Sequence, residues 1–430
     1  MEKQVKTLQE KLAERKVKKP PFVIYMVLAY LWKWMFKKKY NIHYDYKIDI
    51  KSYKGPYIVI SNHASRVDYL YTGIAFLPHR LNYVAGYNEF FRSHLAFVFR
   101  LLQVIPKKNF VPEITAIMNI SRILKKGGRV IVFPEGMSSI SGSNQPSAIG
   151  SGKLLKHFGV PVLMTHIEGG YLTNTKYCLD DRPGRVNVTV SELFSSNQLK
   201  SLTENEIQLR IDEAIHHDDY EWNKVQRIKF DGKGELAKNI HTLLYRCPKC
   251  NHEFEMVGEG NTIVCKHCGN KAKLNEYYDL LPMSANDVIP ETPVKWFDWE
   301  RKVAYQEIVN NPDYELKEEV KIGVLPKYEY LKDLKTSEIV GEGTLSISRK
   351  GLAFEGTRDN LPYTFIIPTS AVPTFGMCTD VSFFSTYLNG EYIEFYPKRE
   401  STGKWLHITE EMHRINGGKW SNFPDADTYQ

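Results

Sequence analysis

The sequence predicts an α/β core with a largely parallel sheet, followed by a four-cysteine unit and a C-terminal β-rich domain. Three observations carry this. Apolar runs at 57–61, 129–133, 160–166 and 185–190 alternate with segments of helical spacing, the pattern of a parallel sheet with covered faces. Two Cys-x-x-Cys knuckles then interrupt the chain. Beyond residue 335, strict apolar-polar alternation replaces helical spacing. A chain of 430 residues, 42% of them hydrophobic, has room for two or three domains. It divides into a basic, apolar N-terminal segment (1–41), the α/β domain (42–225), a helix with the knuckles (226–280), a linker region (281–334) and the β-rich domain (335–430).

The N-terminal segment carries eleven Lys or Arg against three Glu through residue 40, a net of +8 where the whole chain is +7. The rest is close to neutral, which argues against nucleic acid and for one local contact with an anionic partner. Phe22 to Trp32 is uninterrupted apolar sequence, continued past Lys33 by Trp34-Met35-Phe36 and closed by Lys37-Lys38-Lys39. A spanning helix wants about twenty apolar residues, so this run is short. Tyr25, Tyr30, Trp32 and Trp34 are rings that favour lipid headgroups, and lysines flank both ends. The pattern predicts a monotopic anchor on an anionic membrane surface, at its cytoplasmic face. A buried core helix is the competing reading; a cleaved signal peptide is disfavoured, because Trp32-Lys33-Trp34-Met35-Phe36 offers no small-residue cleavage site.

In the α/β domain, the run Tyr57-Ile58-Val59-Ile60 leads into Asn62-His63-Ala64-Ser65-Arg66-Val67-Asp68. This sets a histidine at a strand end and a carboxylate near a helix start. Asp68 can fold back onto one imidazole nitrogen and leave the other free to accept a proton, making His63 a general base; a surface His-Asp pair is the alternative. Val111 to Lys126 has helical spacing at Ile114, Ile117, Met118, Ile120, Ile123 and Leu124, with Pro112 near its start and Gly127-Gly128 at its end. The next strand, Arg129 to Phe133, ends in Pro134-Glu135-Gly136-Met137-Ser138-Ser139. His63 and Glu135 both follow strand ends, where ligands of such sheets bind, so they can converge.

Together these two blocks resemble the glycerolipid acyltransferase family, enzymes that acylate lysophosphatidic acid and its relatives, whose hallmarks are Asn-His-x4-Asp and Phe-Pro-Glu-Gly. Two weaker blocks, Gln103-Val104-Ile105-Pro106-Lys107-Lys108 and Gly159-Val160-Pro161-Val162-Leu163, extend the resemblance over about residues 45 to 195. It implies transfer of a fatty acyl group from a thioester on coenzyme A or acyl carrier protein to a lipid hydroxyl. His63 would take the hydroxyl proton and Asp68 would orient the imidazole, with no nucleophilic serine or cysteine required. It further implies a substrate-binding set of Asn62, Arg66, Lys107, Glu135, Gly136, Ser138, Ser139 and Lys153. The chain departs from the pattern in two places. Where relatives read Glu-Gly-Thr-Arg-Ser it has Glu135-Gly136-Met137-Ser138-Ser139, so the arginine often assigned to the acceptor's phosphate is a serine. Where Lys-Lys-Gly is common it has Ala148-Ile149-Gly150. Arg66, Lys107 and Lys153 remain as candidate cations, with a structural or solvated role open for each.

Ile207 to Leu244 reads as helix. Cys247-Pro248-Lys249-Cys250 and Cys265-Lys266-His267-Cys268 are separated by fourteen residues, the spacing of a four-thiolate zinc ribbon. Two disulfides are the alternative, disfavoured by a cytosol-like composition with only Cys178 and Cys378 besides these four. Four thiolates leave no open position on zinc, so Cys247, Cys250, Cys265 and Cys268 predict a structural metal. Pro282 to Pro293 reads as linker. Thr344-Leu345-Ser346-Ile347-Ser348 turns at Arg349-Lys350-Gly351, Asn389-Gly390 marks a second hairpin, and a short helix follows with Trp405, Leu406, Ile408 and Met412. Element order alone looks like a pleckstrin-homology-like barrel.

The sequence as a whole predicts a membrane-surface O-acyltransferase acting on a lysophospholipid such as 1-acylglycerol-3-phosphate, with acyl-CoA or acyl carrier protein as co-substrate. The alternatives are a non-phosphate acceptor, such as an amino-acid lipid or glycolipid, and a lipid-binding scaffold without turnover. The intact His63 and Asp68 argue against the scaffold.

Overall fold

The computed structural model describes residues 5–111 and 113–418, the side chain of Lys38 excepted. Pro112, residues 1–4 of the basic segment and residues 419–430 of the β-rich domain lie outside the described residues.

The α/β domain is built on strands β1 (Ile42–Tyr46), β2 (Tyr57–Ser61), β3 (Asn82–Gly86), β4 (Ile105–Lys107), β5 (Arg129–Val132), β6 (Val162–Glu168) and β7 (Val186–Phe194). Their order across the sheet is β1-β7-β6-β2-β5-β3-β4. Every neighbouring pair is parallel except β6 with β7. Alternate side chains feed two cores. Ile58, Ile60 and Val130 meet Ile120, Ile123, Ile207 and Ile211 on one face. Tyr57, Val59 and Ile131 meet Tyr71, Phe76 and Val188 on the other. Burial on both faces is why these strands read as unbroken apolar runs.

Helices α1 (Leu8–Ala13) and α2 (Phe22–Tyr40) precede the sheet. Tyr25 and Ala29 of α2 are buried in a cluster with Tyr87, Phe90 and Phe91, and Tyr40 packs edge-on against Tyr71. Burying a large apolar side chain of this kind stabilises by roughly 1.5–3 kcal/mol. The opposite side of α2 leaves Phe22, Val23, Val27, Leu31 and Trp34 exposed, Trp34 by 76%. The helix is thus packed into the core along one side and solvent-exposed along the other. Among the described residues no helix is long and apolar enough to cross a membrane.

The first cysteine knuckle precedes, and the second joins β9 to β10 of, a four-stranded antiparallel sheet of β8 (Met256–Glu259), β9 (Thr262–Cys265), β10 (Lys271–Leu274) and β11 (Leu280–Pro282). The C-terminal domain is an antiparallel sheet of β12 (Glu315–Val324), β13 (Glu338–Ser348), β14 (Gly351–Arg358), β15 (Leu361–Ile367), β16 (Gly376–Met377), β17 (Phe384–Leu388) and β18 (Glu391–Pro397), in the order β15-β14-β13-β12-β18-β17-β16. The helix Thr402–Ile415 closes it, placing Trp405, Ile408 and Met412 in a core with Leu345, Phe354, Phe384 and Phe395. Asn389 and Gly390 turn the β17-β18 hairpin with φ of 50° and 84°, the left-handed pair that a two-residue turn needs.

Two expectations are corrected. Residues 207–244 are not one helix: Glu204–Ile215 ends, and Asp219–Gln226 begins anew with the Asp218 carboxylate capping Tyr220 N and Glu221 N. Nor is 281–334 a bare linker, since it holds the helix Pro293–Asn310 and the first strand of the β-rich domain, β12. The inward positions of β12 are Leu316, Glu318, Val320 and Ile322, and the charge of Glu318 breaks the apolar alternation. Its carboxylate is satisfied by Trp405 Nε1 at 3.0 Å and Arg399 Nε at 3.1 Å.

One apolar cluster joins Met137, Ile140 and Tyr171 of the α/β domain, Met256 and Ile263 of the cysteine unit, and Met377, Val381 and Leu406 of the β-rich domain. Lys108 Nζ also donates to Gly390 O at 2.9 Å. The last domain is therefore held against the first.

Candidate active site

Ile60 of β2 lies opposite Val132 of β5, so His63 and Glu135, each three residues further on, leave the sheet side by side. His63 N donates to Glu135 Oε1 at 2.6 Å, Gln145 N donates to Glu135 Oε2 at 2.7 Å, and Ser139 N donates to His63 O at 2.7 Å. Gly136 turns this loop at φ 77°, a conformation that disfavours side chains, and an added Cβ would lie 3.3 Å from the Phe110 ring. The two loops are thereby laced into one unit.

Asp68 opens helix α3 (Asp68–Ala75) and is fully buried. Its carboxylate accepts from Ser65 N at 2.7 Å, Ser65 Oγ at 2.8 Å and His63 Nδ1 at 3.0 Å. A bond from Nδ1–H to a carboxylate sets the tautomer, leaving Nε2 with a free lone pair. The Phe133 ring lies 4.4 Å from the imidazole, centroid to centroid, and holds its plane. The pair has the orientation a general base requires.

Burial pushes the Glu135 carboxyl up to about 8, against the pull of the Gln145 and His63 N–H groups. Because both its oxygens serve backbone N–H groups, Glu135→Gln should set an amide NH2 against one of those donors. The expected cost is about 1–3 kcal/mol, read as a lower melting temperature with a parallel loss of activity. An unchanged melting temperature would show that Glu135 does not brace the histidine loop.

His63 opens into a cavity of about 2430 Å³, well beyond the roughly 300–1,000 Å³ of an ordinary small-molecule site. Its lining includes the apolar Val98, Phe99 and Leu102 of α4 (Ser93–Leu101) and the residue after it, and Ile117 and Ile120 of α5 (Ile114–Lys125). The β-rich domain contributes to the lining as well, through Cys378, Asp380, Ser382, Tyr387 and Tyr396.

The residues expected to bind substrate fall into two groups. Arg66, Lys107, Gly136, Ser138 and Lys153 line the cavity, as does Glu135. The Arg66 guanidinium is engaged by Cys178 O, Leu179 O and Asp181. Burial lowers the Lys107 pKa, with Glu113 opposing. Lys153 is exposed at the first turn of helix Ser151–Phe158. Asn62 and Ser139 are not among the cavity-lining residues, and Glu135, which is, has both carboxylate oxygens engaged by backbone N–H groups. Asn62 exchanges both hydrogen bonds of its amide with the Ile167 backbone, at 2.8 and 2.7 Å. The Ser139 hydroxyl donates to Ser143 O and accepts from Gly142 N. Sequence reasoning missed Lys176, whose ammonium donates to Ser138 Oγ, and the whole wall formed by the last domain.

Cys247, Cys250, Cys265 and Cys268 bring four Sγ atoms within 4.8 Å of one another. Cys247 and Cys268 are 3.7 Å apart, as are Cys250 and Cys265. A tetrahedral zinc with bonds of about 2.3 Å sets its sulfurs roughly 3.8 Å apart, whereas a disulfide needs about 2.05 Å. The donor set fits a metal ion. Cys250 with the exposed His252 and His267 forms a second combination.

Residues 39–167, which hold the His63 and Glu135 blocks, match the model of the family described as Acyltransferase. Among solved structures the chain is similar to the crystal structure of the 1-acyl-sn-glycerophosphate (LPA) acyltransferase PlsC from Thermotoga maritima, with 20% identity over 48% of this chain and 79% of that one and a TM-score of 0.38.

Proposed function

We propose that the protein moves a fatty acyl group from an acyl thioester, on coenzyme A or acyl carrier protein, to the hydroxyl of a lysophospholipid such as 1-acylglycerol-3-phosphate. The observation that carries this is His63 Nε2 facing the large, partly apolar cavity while Nδ1 is held by the buried Asp68. His63 takes the proton of the acceptor hydroxyl as its oxygen attacks the thioester carbonyl. The tetrahedral intermediate collapses with cleavage of the C–S bond, and the imidazolium returns its proton to the departing thiolate. Asp68 stabilises the imidazolium between those steps.

The four thiolates are assigned a structural zinc, away from the His63 chemistry. The C-terminal domain is read as a pleckstrin-homology-like barrel whose place in the enzyme is the cavity wall. Purified protein incubated with acyl-CoA or acyl carrier protein and a panel of lysolipids, followed by mass analysis, tests the reaction. A diacyl product from a phosphate-bearing acceptor is expected. Product from none of the acceptors would leave only a lipid-binding scaffold; product from glycolipid or amino-acid lipid alone would move the activity to a non-phosphate acceptor.

The exposed side of α2, with its flanking lysines, supports association with an anionic membrane surface at its cytoplasmic face. Removing the whole segment would also expose Tyr87 and Phe90, so point changes are the better test. Trp34→Glu with Val27→Glu should shift the protein from sedimenting with anionic vesicles to remaining in solution, its melting temperature unchanged. Undiminished sedimentation would contradict the anchor.

A further inference from the structure

Lys176 is only 5% exposed, and its Nζ donates to Ser138 Oγ at 3.2 Å. Among the described residues no carboxylate pairs with it; the charged and titratable groups that act on it are Asp380 and the Cys378 thiol of the last domain, and Arg66 beside His63. Burying an ammonium is costly unless a counter-charge or strong acceptors compensate. Ser138 Oγ is its hydrogen-bond acceptor, and Asp380 and Cys378 act on it without a direct ion pair, so compensation is partial and the charge favours a further anion in the adjoining space. Its Coulomb attraction is strong where water is excluded.

The hydroxyl transmits that preference. An ammonium can only donate, so Ser138 Oγ is the acceptor of this bond and its own O–H is directed elsewhere. Ser138 lines the cavity. The neighbouring Ser139 N is bonded to His63 O at 2.7 Å, which fixes the hydroxyl relative to the proposed base. Ser138 is thus a donor polarised from behind by a buried positive charge.

We infer that Ser138 and Lys176 form the subsite for the anionic headgroup of the acceptor, a phosphate oxygen accepting from Ser138 O–H while Lys176 supplies the balancing charge. This rests on the proposed acyl transfer. Asp380, whose charge already acts on Lys176, limits how much negative charge the subsite takes. Burial draws Lys176 down to about 8, so its charge is present below that pH and lost above it. A phosphate monoester is already dianionic there, its second pKa being about 6. Acceptor affinity should therefore weaken as pH climbs through about 8.

The test uses the full chain with lysophosphatidic acid and with neutral monoacylglycerol as acceptors, together with calorimetric binding of glycerol 3-phosphate, which needs no turnover. The variants are Lys176→Met, Lys176→Arg and Ser138→Ala. Lys176→Met removes the charge while keeping an unbranched chain, Lys176→Arg keeps the charge, and Ser138→Ala is a second, smaller change. Lys176→Met should raise KM for lysophosphatidic acid at least about tenfold with kcat changed less than about threefold. It should leave KM for monoacylglycerol unaltered, weaken glycerol 3-phosphate binding in proportion, and flatten the pH dependence of KM; Lys176→Arg should restore most of the affinity. A loss of kcat shared by both acceptors would give the pair to the thioester oxyanion and overturn the inference. So would glycerol 3-phosphate binding indifferent to both substitutions. If no acceptor turns over even in the wild type, the proposed function fails, whereas loss of glycerol 3-phosphate binding in Lys176→Met would still uphold the subsite.

Discussion

His63→Ala is expected to lower kcat by about a hundred- to ten-thousand-fold while the melting temperature stays near that of the wild type. The imidazole is partly exposed to the cavity, and its loss leaves Asp68 with both donors from Ser65, so the loop keeps its shape. Asp68→Asn should fall almost as far for a different reason. An amide facing Nδ1 can present its NH2 group, which favours the tautomer with hydrogen on Nε2 and removes the lone pair from the cavity. Near-normal turnover in both variants would exclude His63 as the base.

The second large effect is expected at the cysteines. Four thiolates close the coordination shell of a zinc ion, and in zinc-finger peptides such binding supplies on the order of 10 kcal/mol or more toward folding. Cys265→Ser should lose the metal and a large part of the stability of residues 245–275. The damage should spread, because this unit shares its apolar cluster with Met137 and Tyr171 on one side and Met377 and Leu406 on the other. Activity should fall only as far as the folded fraction falls. Elemental analysis finding no zinc in the wild type, or a mass showing two disulfides under reducing conditions, would refute the site; a folded but inactive variant would give the metal a part in the reaction.

The core of the site was legible because it is local. His63 and Asp68 are five residues apart across a strand end, and Glu135 follows a second short apolar strand, so their convergence needed only adjacent parallel strands. The roles of Asn62 and Ser139 were not legible, because a polar side chain that ties two loops together looks the same in sequence as one that faces substrate. Lys176 sits in Thr173-Asn174-Thr175-Lys176, polar residues that resemble a solvated loop. Only tertiary packing buries them. The fold was read where pattern was clean, as in the Asn389-Gly390 hairpin, and missed where function or bracing broke it, as at Glu318 in β12. That the C-terminal domain walls the cavity depends on contacts such as Lys108 with Gly390, hundreds of residues apart, which no local pattern carries.

The central claim is that His63 activates the acceptor for direct attack, with no acyl group passing through the protein. Rapid mixing with acyl-CoA alone, quenching, and intact-protein mass measurement test it most directly, alongside release of free thiol. An unmodified protein mass and no burst of thiol are expected until a lysolipid is added, with His63→Ala failing to release thiol even then. A stoichiometric thiol burst without acceptor, accompanied by a protein heavier by one acyl group, would contradict it.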